Sequence, residues 1–364
     1  MRYAMIMAGG SGTRLWPMSR QALPKQLIPF IGGRSLLQIA LERLEGLVPA
    51  ERRLICAGRG HRDAVLASLP GFSADRFLGE PVGRDTVNAV GFAAAVLARR
   101  DPDAVIAVFT ADHVIEPVDR FREIVASGFD LAEARPEALV TFGIAPTGPA
   151  TGYGYLELGE ALSGGARRVR VFREKPAADV AKGYFEAGPG AYLWNSGMFV
   201  WRAATLLDCI RRYQPDAHEG LMRIAAAWDG ADRDRVLDEV YPALRKVSVD
   251  YAVMEPASRD PAVTVAAIPM PLGWLDVGSW PFFAQTCPKD ADGNSIAAER
   301  AVLVDTKGTL VASSDPAHLV TTIGCENLIV IHTPDATLVC PADRAEAIKE
   351  LHRRVGERFG PALL

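Results

Sequence analysis

The residues best suited to chemistry lie between Ala8 and Gln26, in the run AGGSGTRLWPMSRQALPKQ. Gly9, Gly10 and Gly12 permit backbone angles closed to other residues. The main-chain N–H groups from Ala8 through Gly9, Gly10, Ser11 and Gly12 to Thr13 can therefore approach an anion closely. Arg14 adds a planar fork that matches phosphate oxygens, and Lys25, after Pro24, adds a point charge. The spacing is neither that of a P-loop nor G-x-G-x-x-G. A glycine turn after a strand is often only a tight turn, but two cations in one short window favour a polyanionic ligand. Asp112 stands just past the apolar run Ala104–Thr110, and open α/β sheets bind ligands at the carboxyl ends of such strands. A carboxylate there can hold Mg²⁺, which takes oxygen ligands and keeps waters and substrate phosphates. Asp276, in a distant loop, is the natural second carboxylate. Alone, an aspartate at a strand end is more often a cap or a solvated group, so convergence of the two is the expectation that matters. His113 is expected to pack or orient rather than to ligate.

The glycine segment resembles the signature loop of the sugar nucleotidyltransferases. Its continuation Leu15-Trp16-Pro17-x-Ser19-Arg20, with Pro24-Lys25-Gln26, is similar to the mannose-1-phosphate guanylyltransferases in particular, in their short form without an isomerase domain. Further blocks match in order over nearly the whole chain: Gly83-Arg84-Asp85-Thr86, Ala111-Asp112-His113, Gly152-Tyr153-Gly154-Tyr155, Glu174-Lys175-Pro176, Trp194–Phe199 and Trp274–Trp280. The resemblance implies transfer of a guanylyl group from GTP to mannose 1-phosphate, with pyrophosphate leaving. Arg14, Lys25, Asp112 and Asp276 would be catalytic, and Mg²⁺ would sit on Asp112 and Asp276. The glycine loop, Arg84, Asp85, Thr86 and Asp112 would hold the nucleotide. Gly154, Glu174, Lys175, Asn195 and Asp276 would hold the sugar phosphate. Taken singly, Glu174-Lys175-Pro176 reads as an exposed charged turn, and Trp194-Asn195-Ser196-Gly197 as a turn. One departure stands out. Many members carry Asn where this chain has Asp85, and Ala-Pro where it has Val87-Asn88. A carboxylate accepts hydrogen bonds and suits the N1–H and 2-amino edge of guanine, but Asp85 or Thr86 equally suits a helix N-cap. Glucose 1-phosphate with UTP or dTTP, and a silent sugar-nucleotide sensor of the same fold, are the competing readings.

These residues need a scaffold. Arg2–Ala8, Arg53–Ala57, Ala104–Thr110 and Leu139–Ile144 read as strands. They alternate with helical patterns over Ser35–Leu47 and Asn88–Arg100, which implies an α/β fold with a Rossmann-like, mainly parallel sheet. Strands are also expected at Gly152–Leu158, Arg168–Arg173 and Ala262–Ile268, helices at Ala177–Ala187, Ala203–Tyr213 and Ala217–Trp228, and a loop at Trp274–Trp280. After about Pro288 short strands recur at Ala301–Asp305, Thr309–Ala312, His318–Ile323, Leu328–His332 and Ala336–Val339, separated by turn residues. A helix over Pro341–Phe359 closes the chain. The expected division is a catalytic domain over 1–287 and a small all-β module with its closing helix over 288–364, left-handed β-helix-like by resemblance. Apolar edge strands in that module suit pairing with a second copy, as a homodimer.

The 364 residues carry 40 Lys and Arg against 44 Asp and Glu, a net charge of −4, which argues against a nucleic-acid-wrapping protein. No apolar run is long enough for a membrane span. Five well-separated cysteines without a C-x-x-C pair suggest reduced, mostly buried thiols in a cytoplasmic protein.

Overall fold

The structure, a computed structural model, describes residues 1–10, 12–29 and 31–364. Ser11, expected in the anion loop, lies outside the described residues. Nine strands form one sheet in the spatial order Phe77–Glu80, Arg53–Gly58, Arg2–Met7, Val105–Thr110, Tyr192–Arg202, Ala138–Ile144, Thr264–Pro269, Arg167–Arg173 and Tyr155–Ala161. The first four run parallel. Tyr192–Arg202 runs against both of its neighbours at the centre, and Thr264–Pro269 is again parallel to Ala138–Ile144. The expected mainly parallel sheet is therefore present, with one reversed strand in the middle and an antiparallel pair at one edge.

Alternation along each strand feeds two cores. Tyr3 and Met5 face one apolar cluster, with Phe92, Trp201, Ile210 and Leu221, whereas Ala4 and Ile6 face the other, with Phe109, Phe121 and Phe129. The helix Thr86–Arg100 covers the first face and Val118–Ala134 the second. Burial on both faces explains why Val105–Phe109 is continuously apolar.

Several boundaries differ from expectation. Ser35 does cap its helix through a capping box with Gln38, but the helix stops at Glu42, short of Leu47. The chain then turns through Gly46 at φ 76°. The strand expected from Gly152 begins only at Tyr155. The Trp274 loop opens as a short strand, Gly273–Asp276, and Pro341–Phe359 splits into a 3-10 segment, Ala342–Ala347, and a helix, Ile348–Phe359. Tyr192–Arg202 is one long strand where the Trp194–Gly197 block reads locally as a turn. The local preference survives as an irregularity within the strand: Gly197 keeps φ 70° where the pairing with Ala138–Ile144 shifts register.

In the C-terminal module, Ser295–Ala297, Leu310–Ser313 and Leu328–Thr333 stack as parallel neighbours. Arg300–Val304 stacks on Leu319–Ile323 in a second parallel ladder, and Ala336–Pro341 closes the coil antiparallel to Leu328–Thr333. This winding is β-helical. The module has a small apolar cluster of its own, Val311, Val320 and Val330, but its larger contact is shared: Leu310, Ile331 and Ile348 join one cluster with Leu15, Trp16 and Trp280. Its tail also braces the far side of the glycine segment. Trp16 Nε1 and Arg20 Nη1 donate to the Leu363 carbonyl at 2.8 and 3.0 Å, and the Gln21 N–H donates to the Leu364 carbonyl at 2.9 Å. Among the described residues no helix is long and apolar enough to cross a membrane. All five cysteines are unpaired. Cys56 and Cys209 are buried, while Cys287, Cys325 and Cys340 are half-buried.

Candidate active site

The two carboxylates converge because of a two-stranded ladder. His113–Glu116 pairs antiparallel with Gly273–Asp276 in a register that sets Asp276 opposite His113, and the Val277 N–H donates to the Asp112 carbonyl at 3.0 Å. Ligand atoms of Asp112, His113 and Asp276 all lie within 4.8 Å of one another. His113 is buried, and burial lowers its pKa to about 4, so it is neutral. Its Nδ1 accepts from Trp274 Nε1 at 3.2 Å, which leaves the ring proton on Nε2, facing Asp112 at 4.0 Å. Histidine thus orients, and the oxygen donors are the two carboxylates. That hard, paired set fits Mg²⁺. The two acids are electrostatically unlike. Burial works to raise Asp112, but the Lys25 ammonium overrides it and holds the carboxyl down at about 2. Burial and the Asp112 charge raise Asp276 to about 6.

Lys25 starts a 3-10 turn, Lys25–Leu27, and is buried. Its Nζ lies 2.6 Å from Asp112 Oδ2. Gly12 has φ 62°, and a β-carbon there would come within 2.9 Å of Lys25 Cβ, so only glycine lets the loop close over the lysine. Arg14 ion-pairs with Glu346 of the C-terminal module at 2.9 Å. A β-carbon at Gly278 would lie 3.1 Å from Arg14 Nη2 and 3.4 Å from Asp276 Oδ1, so the guanidinium and that carboxylate flank the same glycine.

Two cavities meet at this pair. One of about 450 Å³ is lined by Gly9, Gly10, Glu80, Asp85, Thr86 and Asp112. The other, of about 170 Å³, is lined by Gly154, Glu174, Lys175, Asn195, Asp250 and Asp276. Thr110 borders both, and its hydroxyl is buried without a hydrogen-bond partner. A larger cavity of about 770 Å³, which Asp276, Tyr153 and Trp274 also border, has mainly apolar walls and no lysine or arginine, so it does not suit phosphates.

Within the first cavity, Asp85 sits at φ 66° and its carboxylate accepts from the Thr86 N–H at 2.8 Å, capping its helix while lining the cavity. Arg84 is not brought there. Its guanidinium turns to the Pro242 carbonyl, a backbone acceptor that sequence order could not reveal. Asn88, one of the departures, is fully buried and donates to the carbonyls of Arg84 and Arg245 at 2.7 and 2.8 Å, pinning the loop. In the second cavity, a β-carbon at Gly154 would come within 2.6 Å of Glu174 Oε2, so any side chain there would displace that carboxylate. Glu174 is buried and its pKa raised by that burial, and Lys175 pairs with it at 3.2 Å. Sequence reasoning missed Glu80 and Asp250. Glu80 ends a strand just before the Gly83 block, a position that could have marked it. Asp250 carries no spacing signal.

Residues 3–293 match the family model for nucleotidyl transferases, and residues 299–355 match the MannoseP isomerase/GMP-like beta-helix domain. The chain belongs to the nucleotidyl transferase family. This nucleotidyltransferase is 36% identical over 353 residues to xanthan biosynthesis protein XanB of Xanthomonas campestris, covering 95% of this chain and 72% of that one. It is 36% identical over 362 residues to mannose-1-phosphate guanylyltransferase of Escherichia coli K12, covering 97% and 73%. Among solved structures, mannose-1-phosphate geranyltransferase from Thermus thermophilus superimposes with a TM-score of 0.85 at 36% identity, covering 97% of this chain and 99% of that one. The resemblance drawn from the motifs is borne out.

Proposed function

We propose that the protein transfers a guanylyl group from GTP to mannose 1-phosphate, forming GDP-mannose and pyrophosphate. The observation that carries this reading is the meeting of two cavities at Asp112 and Asp276, one beside the glycine loop and one holding Lys175, Glu174 and Asn195. A phosphate oxygen of the sugar 1-phosphate attacks the α-phosphorus. The new P–O bond forms as the bond to the β-phosphate oxygen breaks, and the electron pair leaves with pyrophosphate.

Both substrates are polyanions, so the chain's task is positioning and neutralisation. Loop N–H groups, Arg14 and Lys25 hold the triphosphate, and Lys175 steers the attacking phosphate. Glu174 and Asn195 take sugar hydroxyls, and Asp85 and Thr86 border the nucleoside. Asp112 and Asp276 hold Mg²⁺, which when bound supplies Lewis-acid neutralisation of the phosphates. The enzyme works in the cytoplasm, consistent with its unpaired thiols, and as a homodimer. Val302, Val304, Leu319 and Ile323 leave an apolar face exposed on one ladder of the β module, which suits a second copy. The deciding experiment is a coupled pyrophosphate-release assay across GTP, UTP, dTTP and ATP with mannose and glucose 1-phosphates. Turnover fastest with GTP and mannose 1-phosphate is expected; preference for another pair would overturn the assignment.

A further inference from the structure

Resting on the proposed reaction, we infer that Asp250 reads a ring hydroxyl of the sugar, and that it does so jointly with Asn195, whose amide it holds in place. Asn195 is the amide that faces the sugar cavity, and most of its bonding capacity is already spent. Its Oδ1 accepts from Thr141 Oγ1 at 2.7 Å, and its Nδ2 donates to Asp250 Oδ1 at 2.9 Å. The Thr141 hydroxyl is shared with the Met198 carbonyl at 3.0 Å, so it is the Asp250 acceptor that directs the amide NH2, and one N–H remains for a ligand. Asp250 lines the same cavity and is only half-buried. A hydroxyl at this spot can accept from the free Asn195 N–H and donate to the Asp250 carboxylate, so both halves of its hydrogen-bonding capacity are met by two groups 2.9 Å apart.

The carboxylate cannot retreat. Asp250 opens the π-helical turn Asp250–Met254, whose Ala252, Val253 and Met254 are buried. The preceding Val249 is fully buried, and its N–H donates to Thr86 Oγ1 at 2.8 Å. The same segment thereby spans from the nucleoside loop to the sugar cavity.

The test measures kcat/KM for mannose 1-phosphate and for its 2-, 3-, 4- and 6-deoxy analogues, in wild type, Asp250→Asn and Asn195→Ser, with GTP in excess. Asp250→Asn is expected to lower kcat/KM for the intact sugar about 10- to 100-fold. The KM for GTP should stay within about twofold, because only a local hydrogen bond changes. One deoxy analogue, disfavoured by wild type, should be turned over equally by wild type and variant, and Asn195→Ser should lose discrimination against that same analogue. An equal loss for every sugar would mean a structural role and would overturn the inference, as would unchanged discrimination in both variants. If Asp250→Asn does not fold, the inference stands or falls on whether Asn195→Ser erases discrimination at a single hydroxyl. Absence of pyrophosphate release by wild type with every pair would instead overturn the proposed reaction itself.

Discussion

Lys25 and Asp112 form a charge pair whose two halves should be costly to separate and cheap to remove together. The contact is 2.6 Å, with side chains 9% and 21% exposed. At that distance and an effective dielectric near that of a protein surface the attraction is about 6 kcal/mol. Most of it is offset by the desolvation of both ends, so the net value of the pair is small. Lys25→Met leaves the Asp112 carboxylate facing Asp276 without its cation, and Asp112→Asn takes the 2.6 Å partner from the ammonium, with Asp276 the remaining carboxylate. Each should cost about 3 kcal/mol, the low end for buried pairs because Asp112 retains some access to water. The double variant leaves neither charge alone and should cost about 1 kcal/mol, a coupling of about 5 kcal/mol between the sites. Urea unfolding near neutral pH, with EDTA present, measures all four corners of the cycle. Pyrophosphate release should fall at least about 100-fold in each single variant and stay low in the double, because recovered stability does not restore the groups that bind phosphate. Additive stability losses, or a single variant as stable as wild type, would refute the electrostatic argument. Near-normal turnover in either single variant would remove that residue from the reaction.

Three further outcomes follow from the geometry. Gly154→Ala pushes a methyl group to within 2.6 Å of Glu174 Oε2 and should raise the KM for the sugar phosphate about tenfold while leaving that for GTP unchanged, as steady-state kinetics would show. Burial, with Glu174 beside it, raises the Asp250 carboxyl from 3.8 to about 7, so ionised Asp250 opposes folding; the penalty is absent below about pH 4, grows between the two values and is complete above pH 7. Asp250→Asn should therefore be more stable than wild type above pH 7, by at least about 1 kcal/mol, and equal to it below about pH 4, a crossover that urea midpoints across pH would detect. Removing residues 361–364 deletes the acceptors for Trp16, Arg20 and Gln21 and should cost about 2 to 3 kcal/mol by urea unfolding, together with turnover.

The chemistry was more legible than the architecture that delivers it. Gly12, Lys25, Asp112 and Asp276 stand out because phosphate and divalent cations demand particular residue types, and those types sit in a recognisable order. What brings Asp112 to Asp276 is a ladder of two four-residue strands, each too short to show a period. The resemblance put Arg84 among the residues that hold the nucleotide, yet its guanidinium donates to a carbonyl 158 residues away. Asp250 is the reverse case. It lies outside every block singled out in the sequence, and only the folded turn directs it to Asn195. The helix expected through Leu47 ends at Glu42, and the chain reaches Leu47 only after a turn at Gly46, whose φ is positive.

The brace behind the glycine segment has a consequence for how the enzyme comes into being. Trp16 and its partner carbonyl at Leu363 are 347 positions apart. Translation makes the phosphate-gripping loop well ahead of the carbonyl that backs it. The nascent polypeptide can lay down its central sheet before it can grip a nucleotide firmly, and a protease cutting between that sheet and Leu363 would part the loop from its support.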